Sequence, residues 1–160
     1  MYTIFNLPIG KTNDQMKEHL KETVIPFLRK QGFNGSFPNF RRIHDDNYQV
    51  LNFQFSKHGG SFCINMTVVE KVDNFFKVKK SDLKSIGGRR LGTRKKFLEN
   101  KQNQDHWFKF MRGIIFYRKA YIKAADEVIN KFEQEGDLIY EDAVAGINKP
   151  FGDEIILQAN

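Results

Sequence analysis

Four histidines, one cysteine and one glycine-arginine run are the residues of this chain whose types could carry chemistry. His19, His44, His58 and His106 lie far apart, and none has a second His four residues on or a Cys pair nearby, the spacings that gather metal ligands. No metal and no cofactor is therefore expected. Cys63 would need a positive neighbour to hold its thiolate before it could act as a nucleophile, and His58 lies at the far end of the same predicted hairpin. It reads instead as a small residue on a sheet. The adjacent acids Asp45-Asp46 before Asn47 read as turn chemistry rather than a catalytic pair.

Gly87-Gly88-Arg89-Arg90-Leu91-Gly92 offers more. Glycines permit a concave run of backbone N–H groups and arginines supply paired donors, a combination suited to a phosphate or a carboxylate. The run lacks the Lys-Ser/Thr ending of a phosphate-binding loop and the G-x-G-x-x-G spacing of a dinucleotide fingerprint. The plainer alternative is a turn into a strand whose arginines are solvated or ion-paired.

These residues sit inside a concentrated charge. The chain has a net charge of +7, and residues 77 to 96 carry nine basic residues (Lys77, Lys79, Lys80, Lys84, Arg89, Arg90, Arg94, Lys95, Lys96) against one acid, Asp82. Clustered charge attracts an anionic partner. Phe75, Phe76, Phe97 and Trp107 lie in or beside the window, so phosphate neutralisation with base stacking is one reading. The other is internal. Residues 133 to 142 hold Glu133, Glu135, Asp137, Glu141 and Asp142 with no basic residue, and the two tracts either face each other across the fold or are both solvated.

The elements that must position these groups follow from periodicity. Tyr48 to Val69 contains two alternating runs joined by Lys57-His58-Gly59-Gly60. A two-residue turn at His58-Gly59 sets Phe55 opposite Phe62, Phe53 opposite Ile64 and Leu51 opposite Met66 on one face. The other face then carries Gln54 opposite Cys63, Asn52 opposite Asn65 and Val50 opposite Thr67. A further strand is predicted over Phe37 to His44, and the turn at Asp45-Asp46-Asn47 has two residues or three, which decides whether Arg41 or Arg42 joins the amide face. Thr12-Asn13-Asp14-Gln15 has capping-box spacing and opens a helix over Asn13 to Gln31, with Pro26 inside it as a site of kinking or early ending and Gly32 as the stop. Tyr117, Tyr121, Ala124, Val128 and Phe132 mark a second helix, ended by Gly136. Residues 70 to 86 read as an irregular basic connection with one helical turn at Ser81 to Ser85. Arg89 to Phe97 and His106 to Ile115 read as strands, and the tail as a short helix near Glu141 and an edge strand at Glu154 to Leu157.

The fold class expected is α+β: one domain over residues 1–160, in two layers, with an antiparallel sheet of four to five strands and two main amphipathic helices on the Leu51, Phe53, Phe55, Phe62, Ile64 and Met66 side. The opposite face is left for water or a partner. A lone Cys63 excludes an internal disulfide, and no apolar stretch approaches 18 residues, so a cytoplasmic protein without membrane contact is expected.

The order of these features resembles a known family. An amphipathic helix, Pro26-Phe27-Leu28, Gly32-Phe33, an Asn52-x-Gln54 strand, a Phe62-x-x-Asn65 strand, Arg90-Leu91-Gly92 and Asp105-His106-Trp107-Phe108 are similar to the bacterial domain of unknown function 4304, over Asp14 to Trp107. The resemblance implies a small bacterial cytosolic α+β protein, set beside the immunity proteins of toxin systems, with no established activity to transfer. Phe108 stands where the family pattern has a second Trp, so an aromatic pair is not carried over.

The leading functional expectation is a non-enzymatic module, monomeric or homodimeric, that binds a protein partner. Its surface is the amide face, Asn52, Gln54 and Asn65 with Arg41 or Arg42 at the rim and His106 and Trp107 beside it, together with the Arg89 to Lys96 segment through Arg89, Arg90 and Arg94. A nucleic-acid-associated protein using residues 77 to 96 is the second reading. The third is an enzyme, which would show a pocket with a perturbed group near His106 and Arg90.

Overall fold

A single hairpin organises the computed structural model, which describes residues 9–73, 83–100, 105–111 and 117–147. β3 (Asn47–Phe55) and β4 (Ser61–Glu70) pair antiparallel with Leu51 opposite Met66, Phe53 opposite Ile64, Phe55 opposite Phe62, Asn52 opposite Asn65 and Gln54 opposite Cys63. That is the predicted register. The connection is longer than expected, however. Ser56 N–H donates to Ser61 O at 2.9 Å and Gly59 N–H to Ser56 O at 3.0 Å, so Lys57 to Gly60 form the loop, with Gly59 and Gly60 at φ 76° and 75°. A two-residue and a four-residue loop centred on the same bond leave the same partners opposite each other, which is why the register survives the error.

β2 (Asn39–His44) joins β3 through the two-residue turn Asp45–Asp46, setting His44 opposite Asn47. Asp45 takes φ 52°, a left-handed conformation that Asp tolerates. This settles the open choice: Arg41 lies opposite Val50 on the amide face, and Arg42 lies opposite Gln49 on the helix side. β1 (Asn34–Ser36) pairs with β2 across a turn at Phe37-Pro38, whose peptide bond is cis, so the predicted strand starts two residues late.

β5 (Ser85–Arg90) pairs with the other side of β4, and β6 (Phe108–Lys109) pairs with the start of β4, giving the order β1-β2-β3-β4-β5 with β6 beside β4. Two expectations are corrected here. The strand predicted over Arg89 to Phe97 lies earlier, at the glycines themselves, and Arg94–Leu98 is a short helix, α2. Gly88 explains the shift, because a Cβ there would stand 2.2 Å from Met66 O; the missing side chain is what lets this strand close on β4. Of the strand predicted over His106 to Ile115, the described residues form a strand at Phe108–Lys109, and residues 112–115 lie outside the described residues. Of the helical turn predicted at Ser81 to Ser85, Ser85 opens β5 and residues 81–82 lie outside the described residues, as does the edge strand predicted at Glu154 to Leu157.

α1 (Ile9–Lys30) begins before Thr12, so the capping-box spacing does not mark its start, and it runs through Pro26. Its end follows the prediction: Gly32, at φ 87°, donates to Arg29 O and Phe33 N–H donates to Leu28 O, the paired bonds of a Schellman stop. α3 (Tyr117–Val144) runs past Gly136, the expected terminator, and contains the short helix predicted near Glu141. Gly136 is a packing residue, since a Cβ there would meet the Phe132 ring at 2.9 Å. The same pair of closing bonds recurs at Gly146.

Both long helices cover one face of the sheet. Met16, Leu20, Val24 and Leu28 of α1 and Tyr121, Val128, Phe132 and Tyr140 of α3 close over Phe40, Leu51, Phe53, Phe62, Ile64 and Met66. Among the described residues no helix is long and apolar enough to cross a membrane.

Candidate functional site

Strand register brings the predicted amide face together, and the amides use each other. Asn52 Nδ2 donates to Asn39 Oδ1 at 2.6 Å, Asn65 Nδ2 to Gln54 Oε1 at 2.9 Å and to Asn52 Oδ1 at 3.3 Å, and Arg90 Nε to Asn65 Oδ1 at 3.2 Å. Arg90 continues to Asp105 at 2.7 Å and lies over the Trp107 ring at 5.2 Å from its centroid. Asn52, Gln54, Asn65, Arg90 and Trp107 thus form one cluster, with Arg41 half-buried elsewhere on the same face. Asn52 and Asn65 are each 1% exposed. The expectation of a face left open is corrected: satisfied amides can be buried at little cost, so this network is a second interior.

Cys63 lies within it, fully buried, its Sγ 3.8 Å from Gln54 Oε1. Burial pushes its pKa up to about 11, with the Arg90 charge pulling weakly the other way. The folded state therefore favours the neutral thiol, and the stability this gives is present below the ordinary value of 9.0 and lost as pH rises through 11. Wild type is expected to lose about 2–3 kcal/mol more than Cys63→Ala between those pH values, measured by urea denaturation at each pH. Equal losses would remove the thiol from the account. Tyr140, also pushed up by burial, contributes equally to both proteins.

The arginines of the basic segment are likewise engaged internally, while the Lys84 and Lys95 side chains are 76% and 85% exposed. Arg89 is on the helix side, 6% exposed, with its guanidinium 3.5 Å from the Phe97 ring centroid. Arg94 makes a two-bonded contact with Asp142, at 2.7 and 3.2 Å, and that bond holds its pKa above the ordinary value. Lys84 pairs with Glu70, Lys95 approaches Glu99 at 3.9 Å, and Lys96 donates to Asp105 O. Gly92 N–H, the donor that an anion-binding loop would offer, is taken by Glu135. The acidic tract does face the basic one, so the carboxylate suited to this loop is the chain's own. Lys77, Lys79 and Lys80, with Phe75 and Phe76, lie outside the described residues.

His106 packs on Gly92, where a Cβ would stand 2.5 Å from its ring, and its Nε2 lies 3.0 Å from Glu127 Oε1. Burial lowers its pKa and the Glu127 charge opposes that shift. His106 and Arg90 flank the same Asp105-to-Trp107 segment, but Arg90 bonds Asp105 on the amide side while His106 turns to α3. They share no site. Among the described residues no three of His, Cys, Asp and Glu gather to hold a metal.

An open groove lies elsewhere, where the β2–β3 turn meets the end of α3. Two adjoining hollows, of about 430 and 270 Å³, share His44, Gln49 and Glu141. Arg42 fixes one wall: Nε donates to Gln49 Oε1 at 2.6 Å, Nη1 to Gln31 O at 2.9 Å and Nη2 to Asp137, while its plane lies over Phe33. Val144, 55% exposed, and the exposed Ala145 give the second hollow its apolar surface, with the buried Val68 and Tyr140 at its floor. The α3 side is a stripe of Asp137, Tyr140, Glu141 and Val144, spaced three and four apart. The signal for it was in the sequence. Ending the helix at Gly136 concealed it.

A family model described as Domain of unknown function (DUF4304) matches residues 23–132. No curated protein and no solved structure matches the chain. The match takes in the β2–β3 wall of the groove and ends before its α3 wall.

Proposed function

We propose that this chain, which belongs to the DUF4304 family, is a non-enzymatic protein-binding module of the bacterial cytoplasm that receives a partner's segment in the groove between β2–β3 and the end of α3. An inhibitor of the immunity kind is the sharpest form of this reading. One observation carries it: this groove joins apolar lining to polar groups in a concave surface, whereas the amide face and Arg89, Arg90 and Arg94 are already held by the chain itself. Ligand-sized hollows with few placed polar groups are where recognition concentrates. The non-enzymatic part rests on Cys63, held as a buried thiol, and on His106, which faces Glu127 with no nucleophile in its described contacts.

The test is selection of a random peptide display library on the folded protein, followed by binding of the enriched peptides to Ala145→Trp. Ala145 is exposed at the groove, beyond the last residue of α3, so the indole enters the hollow from the surface without replacing a core side chain. Enriched peptides are expected to lose binding to the variant by at least about tenfold. Peptides that bind both proteins equally, or a library from which nothing enriches, would overturn the proposal.

A further inference from the structure

The groove has a charge opposite to that of the chain. Resting on the groove as the binding site, we infer that its occupant is a cationic segment of a partner protein, with Lys or Arg side chains spaced around an apolar anchor.

Among the described residues, Asp45, Asp137 and Glu141 stand around the two hollows with His44 and one guanidinium, Arg42, which is already committed to Asp137, Gln49 and Gln31 O. Glu141 is exposed and makes no direct ion pair among the described residues, although its charge is felt by the Arg94 guanidinium that bonds Asp142. Asp45 is exposed too, and among the described residues its side chain pairs with His44 at 3.3 Å. Each therefore offers acceptor capacity to an incoming donor. α3 adds to this, because its carbonyl end points here and its last turn carries no basic residue to offset the partial negative charge at a helix C-terminus. A protein whose net charge is +7 has nonetheless left this concavity acidic. Like charge opposite these carboxylates would repel a docked anionic segment, whereas Lys or Arg would find charge-assisted bonds.

The apolar requirement is separate. The 270 Å³ hollow presents its apolar surface through Val144, 55% exposed, and the exposed Ala145, with Val68 and Tyr140 buried behind them, and it is large enough for one branched or aromatic side chain. A polybasic stretch without an anchor leaves that surface wet, and an apolar stretch without charge leaves the carboxylates unpaired. Both features belong in one segment.

The experiment uses two fluorescein-labelled probe peptides of equal length, one alternating Lys with Leu and one alternating Glu with Leu, titrated by anisotropy over a salt series. The full chain is compared with Asp45→Asn/Glu141→Gln and with Ala145→Trp. The Lys-Leu probe is expected to bind, to weaken steeply with salt, to lose about tenfold in the charge variant and to lose binding altogether in Ala145→Trp. If the Glu-Leu probe binds equally well and Ala145→Trp abolishes that binding, the cationic inference falls while the groove stands. If neither probe responds to Ala145→Trp, the groove itself falls and this inference with it. Concentration-dependent dimerisation abolished by Ala145→Trp would make a second copy the occupant and overturn the inference.

Discussion

Phe62→Ala is expected to lower the unfolding free energy by about 3–5 kcal/mol, the range for deleting a buried aromatic ring from a packed core. Phe62 is fully buried at the centre of a ring cluster, 5.2 Å from Phe55, 5.3 Å from Phe108 and 6.1 Å from Phe53 between centroids. Those neighbours come from β3 and β6, so the cavity opens between strands that backbone bonds hold apart and cannot close by collapse. Each aromatic pair lost also removes an interaction beyond its buried area. Equilibrium denaturation measures the change. A loss under about 1 kcal/mol would mean that the site repacks and that the ring cluster is not the centre of this core.

Gly88→Ala is expected to cost about 3 kcal/mol, a large effect for one methyl group. A Cβ at Gly88 would meet Met66 O at 2.2 Å and Thr67 Cα at 2.8 Å, and both are backbone atoms of the central strand β4. Neither can turn aside as a side chain would, so β5 must move away from β4. That displacement would pull Arg90 from Asn65 and Leu91 N–H from Ile64 O, loosening the amide network and the α2 segment together. Hydrogen exchange should show faster exchange across β5, with α1 protected relative to it. Unchanged protection would show that Gly88 is not a close-packing position.

What the sequence made legible depended on how local the cause was. The β3–β4 register follows from two alternating patterns that must agree on one apolar face, and a shift of one residue would bury the amides among the phenylalanines. Gly32 stops α1 because its left-handed conformation is a backbone property that the residue type announces. Gly136 looks the same in sequence but answers to Phe132, one turn away, and nothing local separates a terminator from a packing glycine. Gly88 repeats the lesson on a strand. The function-bearing surfaces were harder still, because side-chain satisfaction is a tertiary fact. Arg94 and Asp142 are far apart in the chain, and only the fold shows that each takes the other's charge. Asn52 and Asn65 were correctly placed together, yet their burial depends on Asn39, Gln54 and Arg90 arriving from three other positions in the sheet and its edges.

These outcomes leave the groove as the surface on which the functional account stands. The most direct test is NMR chemical-shift mapping of the ¹⁵N-labelled chain titrated with the tightest peptide selected from the display library. The account predicts shifts concentrated at His44 to Gln49 and Asp137 to Ala145, with Asn52, Asn65 and Arg89 to Lys96 little changed. Shifts centred instead on the amide network or on the basic segment, with His44 and Glu141 silent, would contradict it.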